Sequence, residues 1–259
     1  MNDLTLLVLV PLFFAISFVY SSVGFGGASS YTAILILAGI NIFSVPPISL
    51  ILNIIVSCMA FLSYIKAQYF SPKLSLPFLS SVPFAFYTGQ MIIPQKTLTI
   101  IFIITLFAAS AALLTSKRAT KNQQQESEMK RSTNLNYTKM AIIGIPIGAL
   151  LGSVAGLIGI GGGIWLSPLL ILTGLANPKQ SAATASLFIL TNSISGFAAQ
   201  SISKPLDLYF LFPLACVVLA GGIIGSRLGA FRFDHDKIRM IIGAIVAVAA
   251  INLTIKLLV

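Results

Sequence analysis

Apolar runs broken by brief polar interruptions fill almost the whole chain. Ten can be marked off, at about 4–23, 28–45, 47–65, 74–93, 97–116, 140–158, 163–176, 181–202, 206–226 and 239–258. About 20 apolar residues cross a bilayer as a helix, so the pattern predicts an all-α polytopic membrane protein. Between the fifth and sixth runs the chain reads SKRATKNQQQESEMKRSTNLNY, polar almost throughout. Such a stretch buries too little to fold on its own. It divides the chain into a first membrane repeat at 1–116, a polar linker at 117–138 and a second membrane repeat at 139–259.

Runs two and seven differ from the rest. Each follows a glycine cluster, GFGG at Gly24–Gly27 and GIGGG at Gly159–Gly163. A glycine costs a helix about 1 kcal/mol relative to alanine, so both clusters mark helix breaks. The seventh run ends at Asn177-Pro178 after about 14 residues, or about 21 Å, against a hydrocarbon core of about 30 Å. Runs two and seven are therefore read as half-helices or arms of re-entrant hairpins, which exist at membrane depth only where protein or a cavity shields the backbone.

The two clusters belong to an internal repeat. Residues 24–39, GFGGASSYTAILILAG, match residues 159–174, GIGGGIWLSPLLILTG, with Gly24, Gly26, Gly27 and Gly39 on Gly159, Gly161, Gly162 and Gly174. Further on, Asn53 resembles Asn192, and Pro77 and Gly89 match Pro213 and Gly225. Five runs per half is an odd number, which predicts two inverted repeats with glycine-broken hairpins approaching from opposite sides. That architecture puts binding sites near the midplane.

Positive charge orients this arrangement. If the linker is cytoplasmic and all ten runs reverse direction, thirteen basic residues lie inside: Lys66, Lys73, Lys117, Arg118, Lys121, Lys130, Arg131, Lys139, Lys179, Arg227, Arg232, Lys237 and Arg239. Lys96, Lys204 and Lys256 lie outside. Both termini are then non-cytoplasmic. Eight crossings would give a poorer split, ten inside to six outside. Full spans and re-entrant hairpins return the chain to the same side, so charge leaves that choice open.

Composition narrows the function. The 259 residues are 57% hydrophobic and 8% charged, where soluble domains carry about 25% charged residues. The net charge of +10 is explained by topology and comes without a nucleic-acid-binding module. MNDLTLLVLV lacks the positive n-region of a signal peptide and is read as a permanent span. Cys58 and Cys216 sit singly in apolar runs and read as small buried hydrophobes. His235, alone of its kind, lies in the charged loop RFDHDK. No metal site and no cofactor are expected, and a Ser/His hydrolase has no support. Pro46-Pro47 and Pro168 read as boundaries and kinks. The six acids, Asp3, Glu126, Glu128, Asp207, Asp234 and Asp236, all map to ends or loops. A cation carrier usually needs an intramembrane carboxylate, so this census points to anions.

A half-helix that starts inside the membrane exposes unpaired N–H groups and the positive end of its dipole. Glycine lets those groups approach a ligand closely. Two such ends facing each other would cage a small oxyanion. The candidate binding residues are Ser22, Gly24, Gly26, Gly27, Asn53, Gly159, Gly161, Gly162, Gly163, Trp165, Thr191 and Asn192, with Arg227 at a cytoplasmic mouth. For a single Ser or Asn, helix–helix glue is the competing role; for the glycines it is tight packing.

The paired G-x-G-G motifs, the second running into GGGIWLSP and followed by an Asn-bearing helix, resemble the TauE/SafE sulfite-exporter family along both halves. The resemblance implies a multi-pass permease of bacterial or archaeal inner-membrane type for sulfite, sulfoacetate or other organosulfonates, with the glycines and the two Asn residues at its site. Two departures stand out. The first motif is GFGGA, and Gly89-Gln90-Met91 replaces the basic ending that Gly225-Ser226-Arg227-Leu228 keeps. An anion channel of the same architecture and a membrane scaffold or accessory subunit are the alternatives. No enzyme activity is expected; the partners are a small anion and the lipid bilayer, with oligomeric state open.

Overall fold

The computed structural model describes residues 3–40, 45–90, 137–158, 163–201 and 208–258, with residues 107 and 111. Nearly all of the fifth run and of the linker lies outside the described residues, as do Gly159, Gly161 and Gly162. Every regular element among the described residues is a helix, and none is a strand.

Long helices are α1 (Asp3–Ser22), α3 (Val45–Lys66), α6 (Tyr137–Ile158), α8 (Pro178–Ser201), α9 (Leu208–Arg227) and α10 (His235–Leu258). Stretches of α3, α8 and α9 are long and apolar enough to cross a membrane: Pro47–Lys66, Pro178–Ala199 and Phe210–Arg232. The last runs beyond α9 into a single π turn, Leu228–Arg232. The second and seventh runs form α2 (Ala28–Leu37) and α7 (Gly163–Leu172), 10 residues each. That is about 15 Å, half a hydrocarbon core.

Several boundaries differ from the sequence expectation, each for a local reason. Run two stops at Leu37 rather than 45, because Gly39 takes φ +77°. There the Ile40 N–H donates back to the Leu35 carbonyl at 3.1 Å, closing the helix end. Gly174, at φ +71°, ends α7 in the same way. Run four is not one helix. It divides into α4 (Pro72–Ser75), a 3-10 stretch (Leu76–Ser80) and α5 (Ser81–Gly89), with Pro77 removing a donor where an α-helix needs one. Pro168 lies within α7 and does not end it. His235 is not in a loop: it opens α10, whose first turn closes when the Ile238 N–H reaches the Asp234 carbonyl at 3.1 Å.

Packing is reciprocal between the two halves. Helices α3 and α8 lie against each other; α2 packs on α3 and α7 on α8. Helix α1 runs along α9, while α6 runs along α5 and the 3-10 stretch. Small residues allow these close approaches. Gly144, Gly148, Gly152 and Gly156 of α6 lie on residues 77–88, and Gly221 and Gly225 of α9 with Gly229 of the π turn lie on residues 14–22 of α1. Polar side chains stitch the same seams, as in Ser63–Ser226 at 2.8 Å and Ser75–Thr184 at 2.9 Å. Outward faces carry large apolar side chains such as Ile142, Leu150 and Phe212, suited to contact with lipid.

Candidate functional site

The first glycine turn starts where α1 stops. The Val23 and Phe25 N–H groups both donate to the Tyr20 carbonyl, at 3.2 and 2.8 Å. The chain then reverses through Gly24 and Gly27, at φ +82° and +93°. Residues 23–27 are buried throughout. Gly24 lies so close to α8 that a Cβ would run into the Ala182 carbonyl. Gly26 lies against the Asn53 amide, and Gly27 against Tyr31 and Ile16. The turn is thus wedged between α8, α3 and α1.

Asn53 is the organising side chain. Fully buried on α3, it accepts the Ala28 N–H on Oδ1 at 3.1 Å and donates from Nδ2 to Ser193 Oγ on α8 at 2.7 Å. It therefore caps α2 and ties it to both central helices. A helix N-terminus leaves four N–H groups without intrahelical partners. Here Ala28 is met by Asn53 and Tyr31 by the Gly27 carbonyl at 3.0 Å. The N–H groups of Ser29 and Ser30 have no hydrogen-bond partner among the described residues. The Ser30 hydroxyl meets the Tyr20 hydroxyl at 2.9 Å. Ser22 is engaged elsewhere: its hydroxyl donates to the Val19 carbonyl at 2.7 Å, and its own carbonyl accepts from the Tyr64 hydroxyl at 2.6 Å.

The second half-helix is built differently. Gly163 is its first residue, and Trp165, half-buried, packs between two apolar clusters. On α3, Ser49 meets Thr32 of α2 at 3.0 Å. On α8, Ser181 donates to the carbonyl of Ser167, the repeat-mate of Thr32, at 3.1 Å. One turn beyond Ser49 stands Asn53; one turn beyond Ser181 stands Ala185. By contact, then, Ala185 and not Asn192 occupies the place of Asn53. Asn192 lies seven residues, about two turns, further along α8. Asn192 donates from Nδ2 to Ser81 Oγ on α5 at 2.9 Å and to the Phe188 carbonyl at 2.8 Å. Its Oδ1 is buried without a partner among the described residues, as is Ser167 Oγ. The Thr191 hydroxyl bonds within α8 to the Leu187 carbonyl at 3.0 Å. Arg227 is exposed at the end of α9.

Two roles escaped the sequence: the cap made by Asn53, and the burial of Lys179. Lys179 counts by sequence among the cytoplasmic loop charges, yet it is only 7% exposed. A signal for it existed. Asn177 and Gln180 exchange hydrogen bonds as a capping box, with the Gln180 N–H on Asn177 Oδ1 at 2.8 Å. That pattern places Lys179 in the first turn of α8 rather than in a loop.

The long apolar helices define a helical membrane protein. Its sequence matches the family Sulfite exporter TauE/SafE over residues 9–253, and the chain belongs to that family of membrane transporters. It is 26% identical over 242 residues to Probable membrane transporter protein y4hK of Sinorhizobium fredii, covering 93% of this chain and 95% of that one. Over 94 residues it is 36% identical to Probable membrane transporter protein YunE of Bacillus subtilis, covering 36% and 33%. Over 166 residues it is 30% identical to Sulfite exporter TauE/SafE family protein 1 of Arabidopsis thaliana, covering 62% and 35%. No solved structure matches.

Proposed function

We propose that this chain moves a small sulfur-containing anion, such as sulfite, sulfoacetate or another organosulfonate, by alternating access around a site between its two glycine turns. In this reading residues 1–116 and 139–259 are inverted repeats. They sit in the cell (inner) membrane with the 117–138 linker cytoplasmic and both termini outside. Gly24, Gly26, Gly27, Gly159, Gly161, Gly162 and Gly163 line the site, with Ser22, Trp165, Thr191 and Asn192 around it, and Arg227 stands at the cytoplasmic mouth. Asn53 acts by holding α2 in place.

The observation that carries this reading is the N-terminus of α2, where half-buried Ser29 and Ser30 keep N–H donors unused among the described residues, beside a buried glycine turn. Such an end favours an anion both by hydrogen bonding and by its dipole. The reciprocal packing of the halves supports two bodies able to rock about a shared site.

The test is uptake of labelled sulfite and of a C2 organosulfonate by proteoliposomes, with Gly162→Leu and Asn53→Leu beside wild type. Saturable uptake that both variants abolish is the expected result. Uptake rising linearly with concentration would make the protein a channel. Saturable uptake indifferent to both substitutions would place the site elsewhere.

A further inference from the structure

We propose that Lys179 is the fixed positive charge of an anion station beside the first glycine turn, taking a small oxyanion as it enters or leaves; this rests on the reading of the chain as an anion transporter. Lys66, Lys73, Arg227, Arg232 and Lys237 are exposed. Lys179 alone among the described basic side chains is buried. Its Nζ donates to the Ala230 carbonyl at 3.2 Å, has the Tyr69 hydroxyl at 3.5 Å, and lies 4.9 Å from the centre of the Tyr69 ring.

Each of these partners favours a cation, and none carries a formal charge. The Ala230 carbonyl belongs to the π turn at the C-terminal end of α9, the negative end of the helix dipole. The Tyr69 ring offers its electron-rich face. Dipoles of this kind keep an ammonium in place, but among the described residues no carboxylate pairs with it, and a buried charge without a counter-ion is costly. An ammonium has three donors. One is taken at normal hydrogen-bond length and Tyr69 is at the limit, so capacity remains for an anion.

The neighbours of Lys179 lead to the glycine turn on two sides. Along α8, Ala182 stands one turn ahead and abuts Gly24. Across the seam, Gly229 precedes Ala230 and abuts the Ser22 carbonyl, which also accepts from Tyr64. Tyr69 is delivered to the ammonium by a strained residue. Gln68 ends α3 at φ +62°, a left-handed conformation uncommon outside glycine, and strain of this kind persists where the surroundings impose it. Lys179 is therefore held where α8, the π turn and the end of α3 meet.

The test is equilibrium binding of labelled sulfite to the purified full chain in maltoside micelles, for wild type, Lys179→Gln, Lys179→Met and Lys179→Arg. Gln still donates to the Ala230 carbonyl but has no charge, so it separates anion binding from a purely structural pin. Weakening by about 30-fold or more is expected for Gln and Met, with Arg much closer to wild type. Wild-type affinity in the Gln variant overturns the proposal and leaves the transporter reading intact. A wild-type protein that binds neither sulfite nor an organosulfonate overturns both. Phosphatidylglycerol is then added to the micelles. Lipid binding lost in the Gln variant while sulfite binding stays at the wild-type level would assign Lys179 to a lipid phosphate and overturn its assignment to a free anion.

Discussion

Helices α2 and α7 have the same length and the same glycine stop, yet among the described residues they meet their neighbouring long helices in different ways. Asn53 reaches from α3 to cap α2, while the matching place on α8 is taken by Ala185, packed with Ile164 and Ile189. A repeat can thus keep its backbone while its polar contacts diverge. The difference teaches that the described contacts of the two half-helices are not interchangeable: Asn53 caps α2, whereas α7 meets α8 through the Ser181–Ser167 bond and apolar packing.

The largest effect that would sharpen this contrast is expected from Gly24→Val. It combines a positive φ with a clash against the α8 backbone, and losses above about 3 kcal/mol follow from such backbone conflicts. Little monodisperse protein should survive extraction into detergent. Next comes Asn53→Ala, which strands the buried Ala28 N–H and a Ser193 contact together, for about 2 kcal/mol. Asn192→Ala should lose only about 1 kcal/mol, since its Oδ1 is unpartnered among the described residues. Thermal unfolding of both variants in one detergent compares them directly; equal losses would break the distinction between the halves.

Gly39→Ala and Gly174→Ala form a control pair. Both positions have positive φ with open space around them, so each should lose about 1 kcal/mol from left-handed backbone strain alone. Unequal losses would mean that the half-helix ends differ as well as their beginnings. The smallest effect belongs to Arg227→Ala. An exposed side chain should change stability by less than about 0.5 kcal/mol. If Arg227 steers anions, uptake should fall at low ionic strength, and the difference from wild type should vanish as salt screens it.

Much of this was written in the linear pattern. Helical class, the membrane setting, the two short helices and their Gly39 and Gly174 stops could be read directly, because run length and glycine spacing act locally on the backbone. Residues 74–93 were less legible: apolar character suggested one helix, while Pro77 and the packing against α6 divide it. The contacts of Asn53 and Asn192 were illegible for a related reason: likeness in sequence does not say which neighbour a side chain meets.

What the sequence by itself determined is therefore where the chain can be helical, where it must turn and which surfaces avoid water. Gly39 and Gly174 end their helices without help from any neighbour, since only local geometry is involved. Tertiary structure decided which polar group meets which. Asn53 became a cap because α2 folds back on α3, and Lys179 became a buried charge because the π turn and Tyr69 close over the start of α8. Hydrogen bonds and charges act over a few ångströms in space, and contacts between residues 53 and 193, or 179 and 230, are made only when the helices pack.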